Sequence, residues 1–311
     1  MASPDLPSFD RPFLPIVDAA CAKFADDEFL WFNDDSYTYA AVDALSSQIA
    51  HQLIADGFRA GMQGAVYSLN SAISFIATLG ILRAGGTWIP VNPRNSLTDN
   101  VKVLQQFGCE AVFFQSTFAQ PIEAAASKTN HPRLAICLDH ASPDYPEVIA
   151  WCEGAATTHP DITPAPEDLI SIPLTGGTTG LPKGVMLSNR NFCALEYATH
   201  HNYQGRRPVV LCAAPLTHVS GRIALSSMSS GARCIIMERV DPQRILAAIE
   251  EHAVTDFFLP PTGIYTLLDQ PNVNAFDYSS LRSVHYGSAP MSTERLKAAL
   301  QTFGPVMRGG Y

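Results

Sequence analysis

Leu174-Thr175-Gly176-Gly177-Thr178-Thr179-Gly180-Leu181-Pro182-Lys183-Gly184 packs the means of holding a polyphosphate into eleven residues. Gly176, Gly177 and Gly180 let backbone N–H groups turn toward an anion with no side chain in the way. Thr175, Thr178 and Thr179 add hydroxyl donors, and Lys183 supplies the counter-charge. The spacing is not that of the Gly-x-x-x-x-Gly-Lys-Ser/Thr nucleotide loop, since Lys183 follows Pro182 and precedes Gly184. No Gly-x-Gly-x-x-Gly follows a strand. Taken alone, a plain Gly/Thr-rich surface turn with an incidental lysine fits the same residues.

Other chemistries find less support. There is no Gly-x-Ser-x-Gly elbow for a serine nucleophile. Of nine histidines, His200 and His201 are adjacent and cannot share a helix face. His131, His140, His159, His252 and His285 have no Cys or carboxylate at ligand spacing, so solvated or core roles are expected and no metal site.

The elements that must carry the loop read as alternating strands and helices, hence stacked βα units with largely parallel sheets. In a first lobe, strands are expected at Ala65 to Leu69, Thr87 to Val91, Ala111 to Phe114 and Leu134 to Leu138. Helices are expected over Ser71 to Ala84, over Thr98 to Phe107, and over Val42 to Ile54 behind an N-cap at Thr38. Residues 153–167, with three prolines and no periodicity, read as a linker. A second lobe follows, with strands at Leu169 to Leu174, Val209 to Ala213, Arg233 to Met237, Asp256 to Leu259, Ser283 to Tyr286 and Val306 to Arg308. Asp241-Pro242 and Ser292 open helices within it, and another opens near Ser188. The expected organisation is therefore a lobe over 1–152, the linker, and a lobe over 168–311 that holds the loop.

Composition sets the class. The chain has 311 residues, 47% hydrophobic and 16% charged, enough to bury a substantial core. Its net charge of −9 and lack of a basic run disfavour nucleic acid. Seven scattered cysteines without Cys-x-x-Cys read as free thiols of a reducing compartment. The start lacks signal-peptide character, and the most apolar stretch, Ile73 to Leu82, is too short to span a bilayer, so a cytoplasmic protein without stable membrane insertion is expected.

The eleven-residue loop resembles the phosphate loop of the adenylate-forming superfamily, which comprises acyl- and aryl-CoA synthetases, luciferases and peptide-synthetase adenylation domains. Further segments resemble the family in order along the chain. They are Tyr37-Thr38-Tyr39, the run Leu82 to Pro93 containing Gly85-Gly86 and Asn92, Pro215-Leu216-Thr217-His218-Val219-Ser220-Gly221, Tyr286-Gly287-Ser288-Ala289-Pro290, and Gly309-Gly310-Tyr311. One departure is Gly176, where many members carry Ser.

The resemblance implies ATP-dependent activation of a carboxylic acid, fatty or aryl, to an acyl-adenylate, then thioester formation with CoA. It assigns Thr175, Gly176, Gly177, Thr178, Thr179, Gly180 and Lys183 to the phosphates. Gly287, Ser288 and Ala289 are assigned to the adenine and adenylate, Tyr311 to stacking on the base, and His218 to the carboxylate entrance. Lys183, His218 and Thr179 are the residues expected to act in catalysis. Val219, Ile223, Leu225 and Met228 are candidate lining of an acyl tunnel, or plain core. ATP, Mg²⁺ and CoA are the implied cofactors, with the Mg²⁺ ligand beyond Tyr311 and none within this chain. A homodimer is compatible. The resemblance reads this chain as the amino-terminal portion of a longer enzyme, inactive or weakly active alone. The alternatives are an acyl-AMP ligase feeding a carrier protein, and a non-catalytic nucleotide- or acyl-binding module.

Overall fold

The computed structural model describes residues 8–127, 131–175 and 183–310. In chain order the strands are β1 Glu28–Phe32, β2 Asp35–Thr38, β3 Gln63–Tyr67, β4 Thr87–Val91, β5 Ala111–Phe114, β6 Leu134–Cys137, β7 Leu169–Ser171, β8 Leu174–Thr175, β9 Lys183–Gly184, β10 Leu187–Ser188, β11 Val209–Cys212, β12 Arg233–Ile236, β13 Asp256–Leu259, β14 Ser283–Tyr286 and β15 Met307–Gly309. The α-helices are α1 Leu14–Lys23, α2 Tyr39–Ala55, α3 Ala72–Arg83, α4 Leu97–Gln106, α5 Ala119–Ala126, α6 Val148–Cys152, α7 Asn189–Tyr203, α8 Val219–Ser227, α9 Pro242–Glu251, α10 Pro261–Leu268 and α11 Thr293–Phe303.

Local chemistry accounts for many of the boundaries. Thr38 accepts the Ala41 N–H at 3.1 Å and starts α2, while Ser71 and Ser74 cap each other reciprocally at the start of α3. Asp241 caps α9 with Pro242 in its first turn, and Ser292 caps α11. Gly57 follows α2 at φ +97°, a conformation that strains any side chain.

Two largely parallel sheets result. One has six strands in the order β10-β7-β4-β3-β5-β6 and the other seven in the order β15-β14-β13-β11-β12-β1-β2. In each, only an edge pair is antiparallel, β10 with β7 and β1 with β2. Both sheets draw strands from either side of residues 153–167: β1 and β2 join the second, β7 and β10 the first. Helix α3 is buried on all sides, contacting β1 of one sheet and β3, β4 and β5 of the other. An all-round apolar helix belongs in such a place. Its approach to α2 is close: a Cβ on Gly80 would lie 2.4 Å from Ile49 Cγ2.

The two faces of the seven-stranded sheet differ. Leu211, Ile235, Phe257, Leu259 and Val284 pack with Ile245, Leu246 and Ile249 of α9, Ile264 and Leu267 of α10, and Ala299 and Phe303 of α11. The opposite face, carrying Val210, Asp256, Phe258 and His285, lies under α7 and α8. No helix among the described residues is long and apolar enough to cross a membrane. All seven cysteines are free and buried.

Candidate active site

The site lies where parallel strands of the second sheet end, the position open α/β sheets use for ligands. After β14 the chain turns through Gly287 and Ser288, the latter at φ +69°. A Cβ on Gly287 would lie 2.6 Å from the Gly310 carbonyl oxygen, and Gly310 N–H donates to the Tyr286 carbonyl at 2.9 Å. The turns after β14 and β15 are thus in backbone contact, and glycine at 287 is required for it. Ala289 follows Ser288 as an exposed residue of the same turn.

His218 sits in the turn between β11 and α8. Its N–H donates to the Pro215 carbonyl at 3.0 Å. The turn is tight enough that a Cβ on Gly221 would lie 2.0 Å from the Leu216 carbonyl oxygen. The His218 ring meets Asn92, with Nδ2 and Nε2 3.1 Å apart. Asn92 Oδ1 already accepts the Arg94 N–H at 3.0 Å, so the amide presents its NH₂ to the imidazole. His218 Nε2 is therefore the acceptor, and the neutral ring carries its proton on Nδ1. Burial, with Arg222 and Arg94 nearby, pushes the His218 pKa below the usual imidazole range and keeps the ring neutral at physiological pH.

Asn70, between β3 and α3, fixes the same segment from below. Its Nδ2 donates to the carbonyls of Ala214 and Met237 at 3.0 and 2.9 Å, and its Oδ1 accepts the Leu216 N–H at 2.7 Å. Neither Asn70 nor the Asn92 side chain is given a role by sequence reasoning. The partners that tie them to the His218 segment are more than a hundred residues away, and the local signal is limited to an asparagine beyond each strand, with the Arg94 N–H bond to Asn92.

Lys183 is exposed on β9, in register opposite Thr175 of β8. Gly184 lets this hairpin sit on Ile172, because a Cβ there would lie 2.2 Å from Ile172 Cγ2. Gly176, Gly177, Thr178, Thr179, Gly180 and Tyr311, all expected at the nucleotide, lie outside the described residues, and for Thr175 only the backbone is described.

Two adjoining cavities open here. One, of about 700 Å³, is walled by Leu174 and Val185, which flank the loop, and by His218 and Ser288. The other, of about 580 Å³, runs between the sheet and helices α7 and α8. Leu195, Val219, Phe258 and Ser288 line both. Of the four candidate tunnel residues, Val219 and Ile223 line the second cavity, whereas Leu225 and Met228 are sealed in the core at 1% and 0% exposure.

His131 and His159 do have carboxylate neighbours, contributed by other segments of the chain. His159 lies 3.5 Å from Asp18 and 3.0 Å from Asp43. Asp18, Asp43 and His159 form the one group of metal-ligand type found among the described residues, and Arg83 already pairs with both carboxylates. The guanidinium supplies positive charge to both carboxylates there. Arg207 pairs with Asp27 and covers the Phe24 ring at 4.7 Å.

The family description "AMP-binding enzyme" matches residues 17–311. The chain belongs to the AMP-binding enzyme family. It is 27% identical over 268 residues to 4-coumarate–CoA ligase 1 of Petroselinum crispum, covering 84% of this chain and 49% of the relative. It is 26% identical over 231 residues to medium/long-chain-fatty-acid–CoA ligase FadD8 of Mycobacterium tuberculosis, covering 71% of this chain and 40% of that protein. The chain thus spans about half the length of such curated relatives. In fold it is similar to the anthranilate CoA ligase AuaEII in complex with anthranoyl-AMP, with a TM-score of 0.88 at 21% identity, covering 99% of this chain and 61% of that one.

Proposed function

We propose that this chain forms the nucleotide- and acid-binding portion of an ATP-dependent acid–thiol ligase. The supporting observation is that three segments border one cavity at the strand ends: the flanks of the Thr175–Lys183 loop, the His218 turn and the Ser288 turn. The reaction begins with attack of a carboxylate oxygen on the α-phosphate of ATP, releasing pyrophosphate. A thiol, that of CoA, then displaces AMP from the acyl-adenylate. Neither step needs a nucleophile from the protein.

What the residues must supply is alignment and charge. Thr175, Gly176, Gly177, Thr178, Thr179 and Gly180 offer backbone amides and hydroxyls to the phosphates, and Lys183 offers the cation. Gly287, Ser288 and Ala289 border the adenylate, with Tyr311 against the base. His218, neutral and with its proton on Nδ1, donates a hydrogen bond toward the carboxylate entrance without adding charge. Mg²⁺, when bound with ATP, neutralises phosphate charge; no described residue at this end is assigned to it. CoA and the acid chain reach the adenylate through the adjoining cavities. An apolar lining of Leu195, Val219, Ile223 and Phe258 suits a fatty or aryl acid.

The test is acid-dependent ATP–pyrophosphate exchange by the intact protein. Lys183→Ala is expected to lower exchange by roughly 100-fold or more, the scale of removing one pre-organised charge donor. Unchanged exchange in a folded variant would remove the assignment.

A further inference from the structure

A strand face covered by helices is normally apolar, and the face beneath α7 and α8 begins that way with Val210 and Cys212 of β11. It then changes character. In-register partners of parallel strands point to the same side, and here the register runs Val210–Asp256–Ser283 and Phe258–His285–Arg308. Four polar side chains therefore line one stretch of a face otherwise built to be dry.

Asp256 is only 8% exposed, and its one described hydrogen bond is from the Thr255 hydroxyl to Oδ2 at 2.6 Å. His285 Nε2 lies 2.9 Å from Ser283 Oγ. Both residues line the 580 Å³ cavity, and both also line a second cleft of about 400 Å³ rimmed by Arg206, Arg282 and Arg308. With Asn202 and Tyr203 of α7, which also line both, they form the wall between the two. The cavity is thus amphiphilic: apolar around Val219, Ile223 and Phe258 near the Ser288 turn, and polar at Asp256 and His285.

We propose that Asp256 and His285 determine specificity by holding a hydroxyl group at the end of the acid remote from its carboxylate. This rests on the acid-activating function proposed above. A hydroxyl both donates and accepts, matching a carboxylate that only accepts beside an imidazole that can donate. A second carboxylate would face Asp256 at close range. An ammonium would sit in the field of Arg282 and Arg308, which act on Asp256 and His285 respectively. A methyl group would bury the Asp256 carboxylate with Thr255 as its one described donor, and burying such groups without compensation is costly.

The test uses the intact protein and 3-arylpropanoic acids bearing a para hydroxyl, methyl, aminomethyl or carboxyl group. Two readouts run in parallel: acid-dependent ATP–pyrophosphate exchange, and calorimetric binding of each acid without ATP. The expected result is a preference for hydroxyl over methyl of about tenfold or more in both, since sites built to bond a hydroxyl reject analogues lacking it strongly. Asp256→Ala should collapse that preference to near unity, and Asp256→Asn, which keeps an acceptor oxygen, should retain part of it. Circular dichroism and thermal melting confirm that each variant is folded.

Exchange without discrimination between hydroxyl and methyl, or discrimination untouched in Asp256→Ala, overturns the proposal and leaves the ligase reading standing. Binding discrimination without exchange for any acid overturns the ligase reading and supports the pocket assignment. Preference for the aminomethyl or carboxyl acid overturns the hydroxyl assignment.

Discussion

Arg83 and Asp256 are both charged side chains buried beneath helices, and their surroundings could hardly differ more. Arg83, at the end of α3, spends its guanidinium on the Asp18 and Asp43 carboxylates, the Asp43 carbonyl at 2.7 Å and the Ser47 hydroxyl at 2.6 Å. His159 of the linker closes the same cluster from outside. Burial outweighs the guanidinium at Asp18, whose pKa is raised, whereas at Asp43 the contacts with Arg83 and His159 prevail and its pKa is lowered. Asp256 has one described hydroxyl donor and a cavity in front of it. A charge the fold has already neutralised does structural work; one left facing an opening is free to meet a ligand.

The comparison is broken most directly at its structural end. Arg83→Met removes the cation and leaves two carboxylates under α3, each about three-quarters shielded at 28% and 26% side-chain exposure. A loss of about 3 kcal/mol is expected in urea unfolding, the low end for breaking a buried ion cluster because both carboxylates keep some water. A loss below about 1 kcal/mol, the range of exposed pairs, would mean the cluster is solvated and the contrast with Asp256 is false.

Gly221→Ala probes the other region without touching a charge. The new Cβ would meet the Leu216 backbone carbonyl at 2.0 Å, and a backbone atom cannot step aside as a flexible side chain can. The expected cost is about 2 kcal/mol by overpacking. The displaced turn carries His218 away from Asn92, so pyrophosphate exchange should fall more than stability does. A variant as active and as stable as the parent would show that the turn is not held where the structure has it.

These two sites also show what a sequence displays and what it hides. The strands at Thr87–Val91, Ala111–Phe114, Asp256–Leu259 and Ser283–Tyr286 are legible because they are short apolar runs bounded by turn residues, and the helix caps at Thr38, Asp241 and Ser292 because capping chemistry is local. Helix α1 escapes because its moment is obscured: Phe13, Leu14, Val17, Ala20 and Cys21 are buried, but prolines at 12 and 15 mask the start. The β1–β2 hairpin does carry a signal, Asn33-Asp34 with both residues at positive φ, which is turn chemistry set between alternating residues. Of the site, the loop and the His218 and Ser288 turns can be read as strings. Asn70, Asn92 and Asp256 cannot, since their significance arises from partners that only tertiary folding supplies. Asp256 in particular reads as the first residue of an ordinary buried strand.

The sharpest form of the comparison is a substitution expected to stabilise. Burial pushes the Asp256 pKa above its ordinary 3.8, partly opposed by the Thr255 hydroxyl and Arg282. A carboxyl whose native pKa exceeds its unfolded value favours the folded state fully only below the unfolded value, and that contribution is lost as pH rises through the native one. At neutral pH, above the unfolded value, that contribution is lost and the native protein bears the cost of burying this poorly paired acidic side chain. Asp256→Asn keeps the shape and removes the charge, so its unfolding free energy near pH 7 should exceed the parent's by on the order of 1 kcal/mol, as when strain at a functional site is relieved. The gain should shrink as pH is lowered and vanish below 3.8, where aspartic acid is protonated in both states. Arg83→Met moves the other way, losing stability where its carboxylates are ionised. If urea titrations at several pH values instead found Asp256→Asn destabilising throughout, Asp256 would be a satisfied structural partner like Asp43, and the polar stretch of the sheet would be part of the scaffold.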